Sequence, residues 1–216
     1  MAIAAILLAA GESRRMGCPK ALLDWDGRPL LAYQLAELDG SRVDRVVIVL
    51  GHRARDVLPL CRGLQAPKAQ REGPKTRAGW VQVVVNPHYR RGPTTSIRAG
   101  VAALPPEVRA LLVLRVDQPR PHILLDALVE AHLARASLIT MPTYQGRRGH
   151  PPVFAAALIP ELAAVSEEGQ GLRAVMERHA ADIREVDLSD PVVLLDINTP
   201  EDYQRARSIL IARPTS

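Results

Sequence analysis

A turn rich in glycine and cations, residues 11–20 with the sequence GESRRMGCPK, follows the first apolar run of the chain. Gly11 and Gly17 let backbone N–H groups come close to an oxyanion, and Arg15 and Lys20 bring positive charge to it. These residue types favour a phosphate-binding turn, although a turn of Gly, Ser and Arg is also typical of a solvated surface. The spacing matches neither GxGxxG nor the GxxxxGK[ST] P-loop, since Ala21 follows Lys20.

Two carboxylates follow apolar runs much later in the chain. Asp117 comes after ALLVLRV and is followed by Pro119, which helps to end a strand. The run VVLLDINTPEDY places Asp196 and Asn198 after another apolar segment, with Thr199 as the N-cap of a last helix. If both segments are strands, the two carboxylates are able to ligate one metal ion jointly. The alternatives are a strand-end turn for Asp117 and a local backbone hydrogen bond for Asp196.

Strand-like apolar runs alternate with amphipathic helical stretches, which is typical of an α/β fold with a mostly parallel sheet flanked by helices. We predict strands over residues 3–9, 43–50, 81–85, 111–116 and 138–141, and helices over residues 30–38, 53–61, 96–104, 123–136, 172–180 and 201–212. In such a sheet ligands bind beyond the carboxyl ends of the strands, where the turn after residue 10 would lie. Residues 63–79 show no period and are interpreted as an inserted loop.

Length and composition predict one domain over residues 1–216, because 47% of the residues are apolar. No run is apolar for the roughly 20 residues of a membrane helix, and the first ten residues lack the basic start of a secretory signal. We therefore expect a cytoplasmic protein with no membrane partner. Cys18 and Cys61 form no CxxC pair and are expected to be reduced thiols, and the six histidines have no zinc-ligand spacing.

The net charge is +5, and arginine supplies nearly all of the positive charge because the lysines are Lys20, Lys68 and Lys75 alone. Proteins that bind nucleic acid usually interleave such charge with aromatic residues, which here make up 3% of the chain. We predict a basic cleft for a small anionic ligand and no nucleic-acid partner. Trp25 and Trp80 are interpreted as packing residues.

Several stretches resemble the molybdopterin nucleotidyltransferases. LAAGESRRMGCPK is similar to the family's LAAGxSxRMGxxK, NPHYRRGPTTSIRAG to NPxYxxGxxxSLxAG, and VDQP to the metal motif GDQP. RRGHPPVF is similar to GHPxxF, EGQGLR to GDxGAR, and LLDINTPEDY to DIDTPEDY. These motifs follow the family's order from the first strand to the last helix. The resemblance implies a Rossmann-like fold of the nucleotide-diphospho-sugar transferase type.

Within that family the chain most resembles the molybdenum cofactor cytidylyltransferases. The guanylyl branch usually has LAGG where this chain has Ala9, Ala10 and Gly11, and it usually lacks the glutamine found here as Gln118. The resemblance implies Mg²⁺-dependent transfer of CMP from CTP to the terminal phosphate of molybdopterin, with release of pyrophosphate. A client molybdoenzyme is a possible further partner. A methyl group on Ala10 beside the base would favour the smaller pyrimidine.

Roles for individual residues come from the same resemblance. It implies nucleotide binding by Leu8, Ala9, Ala10, Gly11, Ser13, Arg15, Lys20, Ser96 and Asp117. Arg15 and Lys20 would hold the triphosphate, and Asp117 would bind Mg²⁺ with Asp196 or Asn198; Arg15, Lys20 and Asp117 form the expected catalytic set. The resemblance also implies that the acceptor is bound by Arg148, His150, Arg173 and Asn198. Ser96 is also a candidate N-cap for the helix that follows it.

Some residues depart from the family pattern near the expected site. Val116 replaces the usual glycine, Arg115 interrupts an apolar strand, and Pro93 and Pro152 replace residues that are usually not proline. A transferase that uses GTP, or that acts on a sugar or isoprenoid phosphate, therefore remains an alternative. So does a non-catalytic carrier of the molybdenum cofactor. A nicotinamide oxidoreductase is disfavoured because no GxGxxG occurs.

Overall fold

The computed structural model describes residues 2–61, 80–135 and 137–211. The strands are β1 (Ala2–Ala9), β2 (Asp24–Trp25), β3 (Arg28–Pro29), β4 (Arg45–Leu50), β5 (Val81–Val85), β6 (Val108–Arg115), β7 (Ile139–Tyr144), β8 (Arg147–Arg148), β9 (Val153–Ala155) and β10 (Ile183–Asp187). The helices are α1 (Leu30–Gly40), α2 (Ala54–Cys61), α3 (Pro93–Ala102), α4 (His122–Leu133), α5 (Ile159–Ala163), α6 (Leu172–Arg178) and α7 (Pro200–Ile211). No helix among these residues is long and apolar enough to cross a membrane.

The main sheet has eight strands in the order β10-β7-β9-β6-β1-β4-β5, with β8 paired to β7. β1 runs parallel to both β4 and β6, and β5 and β10 also pair in parallel with their neighbours. β9 is antiparallel to both β6 and β7. The α/β prediction is therefore confirmed. Because β1, β4 and β6 are parallel, their carboxyl ends lie at one edge of the sheet.

Both faces of the central strand β1 are buried, as expected for a parallel sheet covered by helices. Ile3, Ala5 and Leu7 pack with α1 and α4 on one face, whereas Ala4 and Ile6 pack with α3 on the other. α3 lies very close to β1, since a Cβ atom on Gly100 would be 2.7 Å from Ile6 Cγ2. This packing fixes the strands whose ends carry the candidate site.

Every predicted strand and helix is present, with ends shifted by a few residues. β8, β9, β10, α5 and the β2–β3 hairpin were not predicted. Ser96 is not the N-cap of α3, because that helix begins at Pro93, whose fixed backbone angle suits a first helical turn. The apolar segment before Asp196 is a 3-10 turn over Pro191–Leu194 and not a strand, because Asp190 caps it by accepting from Val192 N.

Other predictions from the sequence are confirmed by the packing. Thr199 caps α7: its Oγ1 accepts from Asp202 N at 3.2 Å, and Asp202 Oδ2 accepts from Thr199 N at 3.0 Å. Trp25 and Trp80 are each only 1% exposed and are packing residues. Cys18 and Cys61 are free thiols. The predicted loop at residues 63–79 lies outside the described residues.

Candidate active site

A small pocket of about 70 Å³ lies at the carboxyl ends of β1 and β6. It brings together residues that are far apart in sequence, and six of those predicted to bind nucleotide or phosphate line it: Leu8, Ala9, Gly11, Ser13, Lys20 and Asp117. The space in front of Gly11 is open, since a Cβ atom there would meet nothing within 4 Å. The glycine-rich turn and the β6 carboxylate therefore form one site.

Lys20 is the centre of this site. Its Nζ donates to Asp117 Oδ2 at 2.7 Å and to Asn198 Oδ1 at 3.1 Å. The side chains of Lys20 and Asp117 are only 11% and 5% exposed. Lys20 N also donates to Ser13 Oγ at 3.2 Å. One lysine thus ties the turn after β1 to the end of β6 and to the segment before α7.

Arg115 is a second cation on the same carboxylate. Its Nη2 lies 3.0 Å from Asp117 Oδ2, and its side chain is 50% exposed and lines the pocket. The backbone at this strand end is held firmly, because Gln34 Nε2 donates to Val116 O at 2.6 Å and Ile197 N donates to Asp117 O at 2.8 Å. In the sequence Arg115 is evident only as an interruption of an apolar strand, and its ion pair with Asp117 was not predicted.

Two buried carboxylate oxygens lack a hydrogen bond, one on Asp117 in the pocket and one on Asp196, two residues before Asn198. Asp117 Oδ1 and Asp196 Oδ1 are buried and accept from no donor among the described residues. Unpaired carboxylate oxygens are hard ligands of the kind that Mg²⁺ and Mn²⁺ prefer. The described residues contain no group of three or more His, Cys, Asp or Glu side chains that could hold a metal. A divalent cation therefore fits here only if phosphate or water oxygens complete its coordination.

Arg120, which was not predicted as a site residue, holds the segments around the pocket together. It is 1% exposed, and its guanidinium donates to the carbonyl oxygens of Pro119, His150, Val193 and Leu195 at 2.9–3.0 Å. Burial lowers its pKa to about 10, while Asp196 and Asp117 oppose that shift. It remains charged near neutral pH and positions the segments that carry His150 and Asp196.

The predicted acceptor residues do not form one cluster. Asn198 contacts Lys20, and His150 lies close enough to Asp117 and Asp196 to interact with them electrostatically. Arg148 on β8 pairs with Glu185 at 2.7 Å, and Arg173 on α6 pairs with Glu177 at 2.8 Å, with both arginine side chains at least half exposed. An acceptor role for Arg148 or Arg173 stays a prediction, and it would require either guanidinium to leave its glutamate.

Three predicted nucleotide-binding residues do not line the pocket. Ser96 is buried, and its Oγ accepts from Asn86 Nδ2 at 3.0 Å. Ala10 is 6% exposed and packs against Gly51, where an added Cβ would lie 2.8 Å from the Ala10 methyl. Arg15 is exposed and pairs with no acidic residue that the structure describes, so its charge is available to a ligand. Their roles in nucleotide binding stay predictions.

A carboxylate within the glycine-rich turn ties this turn to a neighbouring one. Glu12 accepts from Arg14 Nε at 2.6 Å and lies 3.6 Å from Arg90 Nε. The bond from Arg14 is the largest of the effects that lower the pKa of Glu12. Arg14 and Arg90 are thus already paired with Glu12, whereas Arg15 in the same turn has no acidic partner that the structure describes.

A larger cavity of about 550 Å³ lies between the β2–β3 hairpin, α1, α4 and α7. Trp25 and Tyr33 contribute to its wall, together with His122 and Glu37, whose Nδ1 and Oε2 atoms lie 2.9 Å apart within hydrogen-bonding distance. None of the site residues predicted from the sequence lines this cavity. It is therefore separate from the phosphate pocket.

Residues 5–183 match the MobA-like NTP transferase domain. The chain belongs to this family. That match confirms the resemblance to molybdopterin nucleotidyltransferases and places the glycine-rich turn and Asp117 inside the matched domain. It shows nucleotidyl transfer as the family's activity and leaves the substrates of this member open.

Relatives across nearly the whole chain carry different names. Nicotine blue oxidoreductase of Paenarthrobacter nicotinovorans is 30% identical over 212 residues, covering 94% of this chain and 95% of that protein. Molybdenum cofactor guanylyltransferase of Cereibacter sphaeroides is 28% identical, covering 97% and 98%. Molybdenum cofactor cytidylyltransferase of Escherichia coli is 23% identical, covering 95% and 96%. Two of these three names concern the molybdenum cofactor, with different bases, and the third names an oxidoreductase.

Solved structures share the fold. Rv0371c of Mycobacterium tuberculosis superposes with a TM-score of 0.75 at 25% identity, covering 96% of this chain and 99% of that one. A manganese complex of the same protein gives a TM-score of 0.69 at 24% identity, covering the same shares. A nucleotidyl transferase from Methanothermobacter also shares the fold, with a TM-score of 0.75 at 24% identity and 96% of each chain covered.

Proposed function

We propose that this protein transfers CMP from CTP to the terminal phosphate of molybdopterin and releases pyrophosphate. The observation that carries the proposal is the Lys20–Asp117–Asn198 cluster beside the open, glycine-rich turn. It supplies a cation with an 11% exposed side chain and a buried carboxylate at the place where a triphosphate would lie. We also propose that residues 1–216 act as one domain in the cytoplasm.

The reaction is an in-line displacement at phosphorus. An oxygen of the acceptor's phosphate forms a bond to the α-phosphorus of CTP, while the bond from that phosphorus to the bridging oxygen of pyrophosphate breaks. The acceptor oxygen is already anionic near pH 7, so no general base is needed. The residues act by positioning the two phosphates and by neutralising charge. Lys20 and Arg15 would hold the triphosphate against the N–H groups of the turn after Gly11.

Asp117 and Asp196 would hold the divalent cation, which we propose to be Mg²⁺, through their unpaired Oδ1 atoms. A bound cation would neutralise charge on the triphosphate and on the departing pyrophosphate. Asp117 and Asn198 also orient Lys20, whose ammonium has no other partner among the described side chains. His150 and Asn198 are the predicted acceptor residues that lie near this carboxylate.

The preference for CTP over GTP is the finer part of the proposal. Ala10 and Gln118 favour cytidine by resemblance. The Ala10 methyl is buried against Gly51, so its effect on the base would act through the backbone at the end of β4. Within the same chemistry, the first alternative is a transferase that uses GTP as the donor or a sugar or isoprenoid phosphate as the acceptor.

A second candidate function is an oxidoreductase activity, favoured by the 30% identity to nicotine blue oxidoreductase over 95% of that protein's length. It predicts a hydride-transfer signal with NADH or NADPH and no release of pyrophosphate. A carrier of the molybdenum cofactor predicts binding of the cofactor without turnover.

The test is pyrophosphate release by the purified protein with Mg²⁺ and molybdopterin, comparing CTP, GTP and ATP. Asp117→Asn is the test variant. Asp182→Asn is the matched control, because Asp182 is exposed and precedes β10 at the opposite edge of the sheet. We expect release with CTP that requires molybdopterin, is lost in Asp117→Asn and persists in Asp182→Asn. Release with GTP alone would reverse the base preference, and cofactor binding without release would favour the carrier.

A further inference from the structure

Arg115 and Lys20 share one oxygen of Asp117, although they are held very differently. Lys20 is 11% exposed and has a second partner in Asn198. The Arg115 side chain is 50% exposed, and its guanidinium contacts no other acceptor among the described residues. Of the two cations on this carboxylate, Arg115 is the one that is free to move.

The backbone below Arg115 cannot follow such a movement. Gln34 Nε2 donates to the carbonyl oxygens of Arg115 and Val116, at 3.3 and 2.6 Å. Gln118 N donates to Arg115 O at 3.0 Å. Only the long side chain of Arg115 therefore moves, on a fixed base at the rim of the phosphate pocket that it lines.

The charges at Asp117 change when a metal-bound nucleotide enters. A divalent cation on the free Oδ1 atom would lie within a few ångströms of both Lys20 and Arg115 and would repel them. The anionic phosphates of the same ligand would fill the pocket lined by Arg115 and Gly11. The repulsion and the new attraction therefore act on Arg115 in the same direction.

We propose that Arg115 is an exchangeable cation: it neutralises Asp117 in the empty site and moves to the phosphate oxygens when the metal-bound nucleotide binds. This inference rests on the proposed function, because it requires a triphosphate in the pocket. In the empty site Arg115 competes with metal for Asp117, and in the loaded site it adds a contact to the nucleotide. As a result of this exchange, the site binds the metal–nucleotide complex more tightly, and the metal alone more weakly, than it would without Arg115.

The test compares Arg115→Gln and Arg115→Lys with Arg109→Gln as the matched control. Arg109 is an exposed arginine on the same strand, β6, near its amino end. Two affinities are measured by titration: Mn²⁺ alone, by its paramagnetic resonance signal, and α,β-methylene-CTP with Mn²⁺, by calorimetry. Neither measurement requires turnover or the acceptor.

We expect the two affinities of Arg115→Gln to move in opposite directions. Mn²⁺ alone binds roughly two- to fivefold more tightly, because a half-exposed ion pair no longer competes for Asp117. The Mn²⁺–nucleotide complex binds roughly ten- to a hundredfold more weakly, because one charged hydrogen bond is lost. Arg115→Lys lies between wild type and Arg115→Gln, and Arg109→Gln matches wild type.

A purely structural role would weaken both affinities together, and that result would overturn the exchange. Unchanged affinities in Arg115→Gln, with normal binding by the wild type, would overturn it while leaving the proposed function intact. If the wild type binds neither the CTP analogue nor the corresponding GTP analogue, the proposed function fails and the exchange fails with it.

Discussion

The contribution of the Lys20–Asp117 ion pair to the free energy of unfolding can be estimated from its geometry. At the 2.7 Å separation of Nζ and Oδ2, the Coulomb attraction lies between about 1.5 kcal/mol at a dielectric constant of 80 and about 6 kcal/mol at 20. Desolvation of both groups offsets much of this gain. Removing one partner alone is different, because the remaining charge stays in a site that is nearly closed to water.

We therefore expect Lys20→Met and Asp117→Asn each to lower the free energy of unfolding by about 2–3 kcal/mol. In Asp117→Asn, Lys20 still donates to Asn198, and in Lys20→Met, Asp117 is still paired with Arg115. Both losses therefore stay below the cost of a buried charge that has no partner. The double variant should lose about as much as either single variant. The magnitude of the coupling energy is then about 2–3 kcal/mol, the loss of one single variant.

Urea unfolding followed by the fluorescence of the buried Trp25 and Trp80 measures these energies. The exposed pair of Arg173 and Glu177 on α6 is the matched control, for which a cycle should give about 0.3–0.5 kcal/mol. Additive effects at Lys20 and Asp117, with each single variant within about 0.5 kcal/mol of wild type, would refute the reasoning.

Three further predictions concern residues around the site and in the core. Arg120→Met should lower the free energy of unfolding by about 3–5 kcal/mol in urea titrations, because four backbone carbonyls lose their donor; a change below about 1 kcal/mol would contradict this. Gly100→Ala should lower the free energy of unfolding by about 1–3 kcal/mol in the same assay, since the new methyl would lie 2.7 Å from Ile6 Cγ2. In the comparison variant Gly146→Ala, the new methyl would meet no atom within 4 Å, and only the positive φ of that residue opposes the change. Burial, and then Arg184, lower the pKa of His132 below 6.5. The unfolded chain therefore binds the extra proton more readily, and the free energy of unfolding falls as the pH drops below about 6.5. Thermal melting of His132→Gln across this pH range should show a weaker pH dependence than that of wild type, and parallel curves would contradict the assignment.

The sequence was sufficient to predict that the glycine-rich turn and Asp117 meet. Apolar runs of strand length place residue 10 and residue 116 at the ends of predicted strands, and the carboxyl ends of parallel strands share an edge. The direct contact between Lys20 and Asp117 was not predictable in this way. It joins side chains 97 positions apart and depends on rotamers that no local pattern encodes.

Other features were missed for identifiable physical reasons. β9 has only three residues and follows consecutive prolines, so no strand signal is present. The apolar run before Asp196 has strand-like composition, yet its cap at Asp190 turns it into a 3-10 turn. Arg120 gave no signal at all, because an arginine is ordinarily a surface residue and its burial follows from four carbonyls brought together by the fold.

The most direct test of the account is transfer of radioactive label from α-³²P-labelled CTP to molybdopterin in the presence of Mg²⁺. We expect a labelled dinucleotide product that forms with wild type and with Asp182→Asn, is absent with Asp117→Asn, and carries the α-phosphate while unlabelled pyrophosphate is released. No labelled product from either CTP or GTP under conditions in which the acceptor binds, or an equal yield from Asp117→Asn, would contradict the central claim.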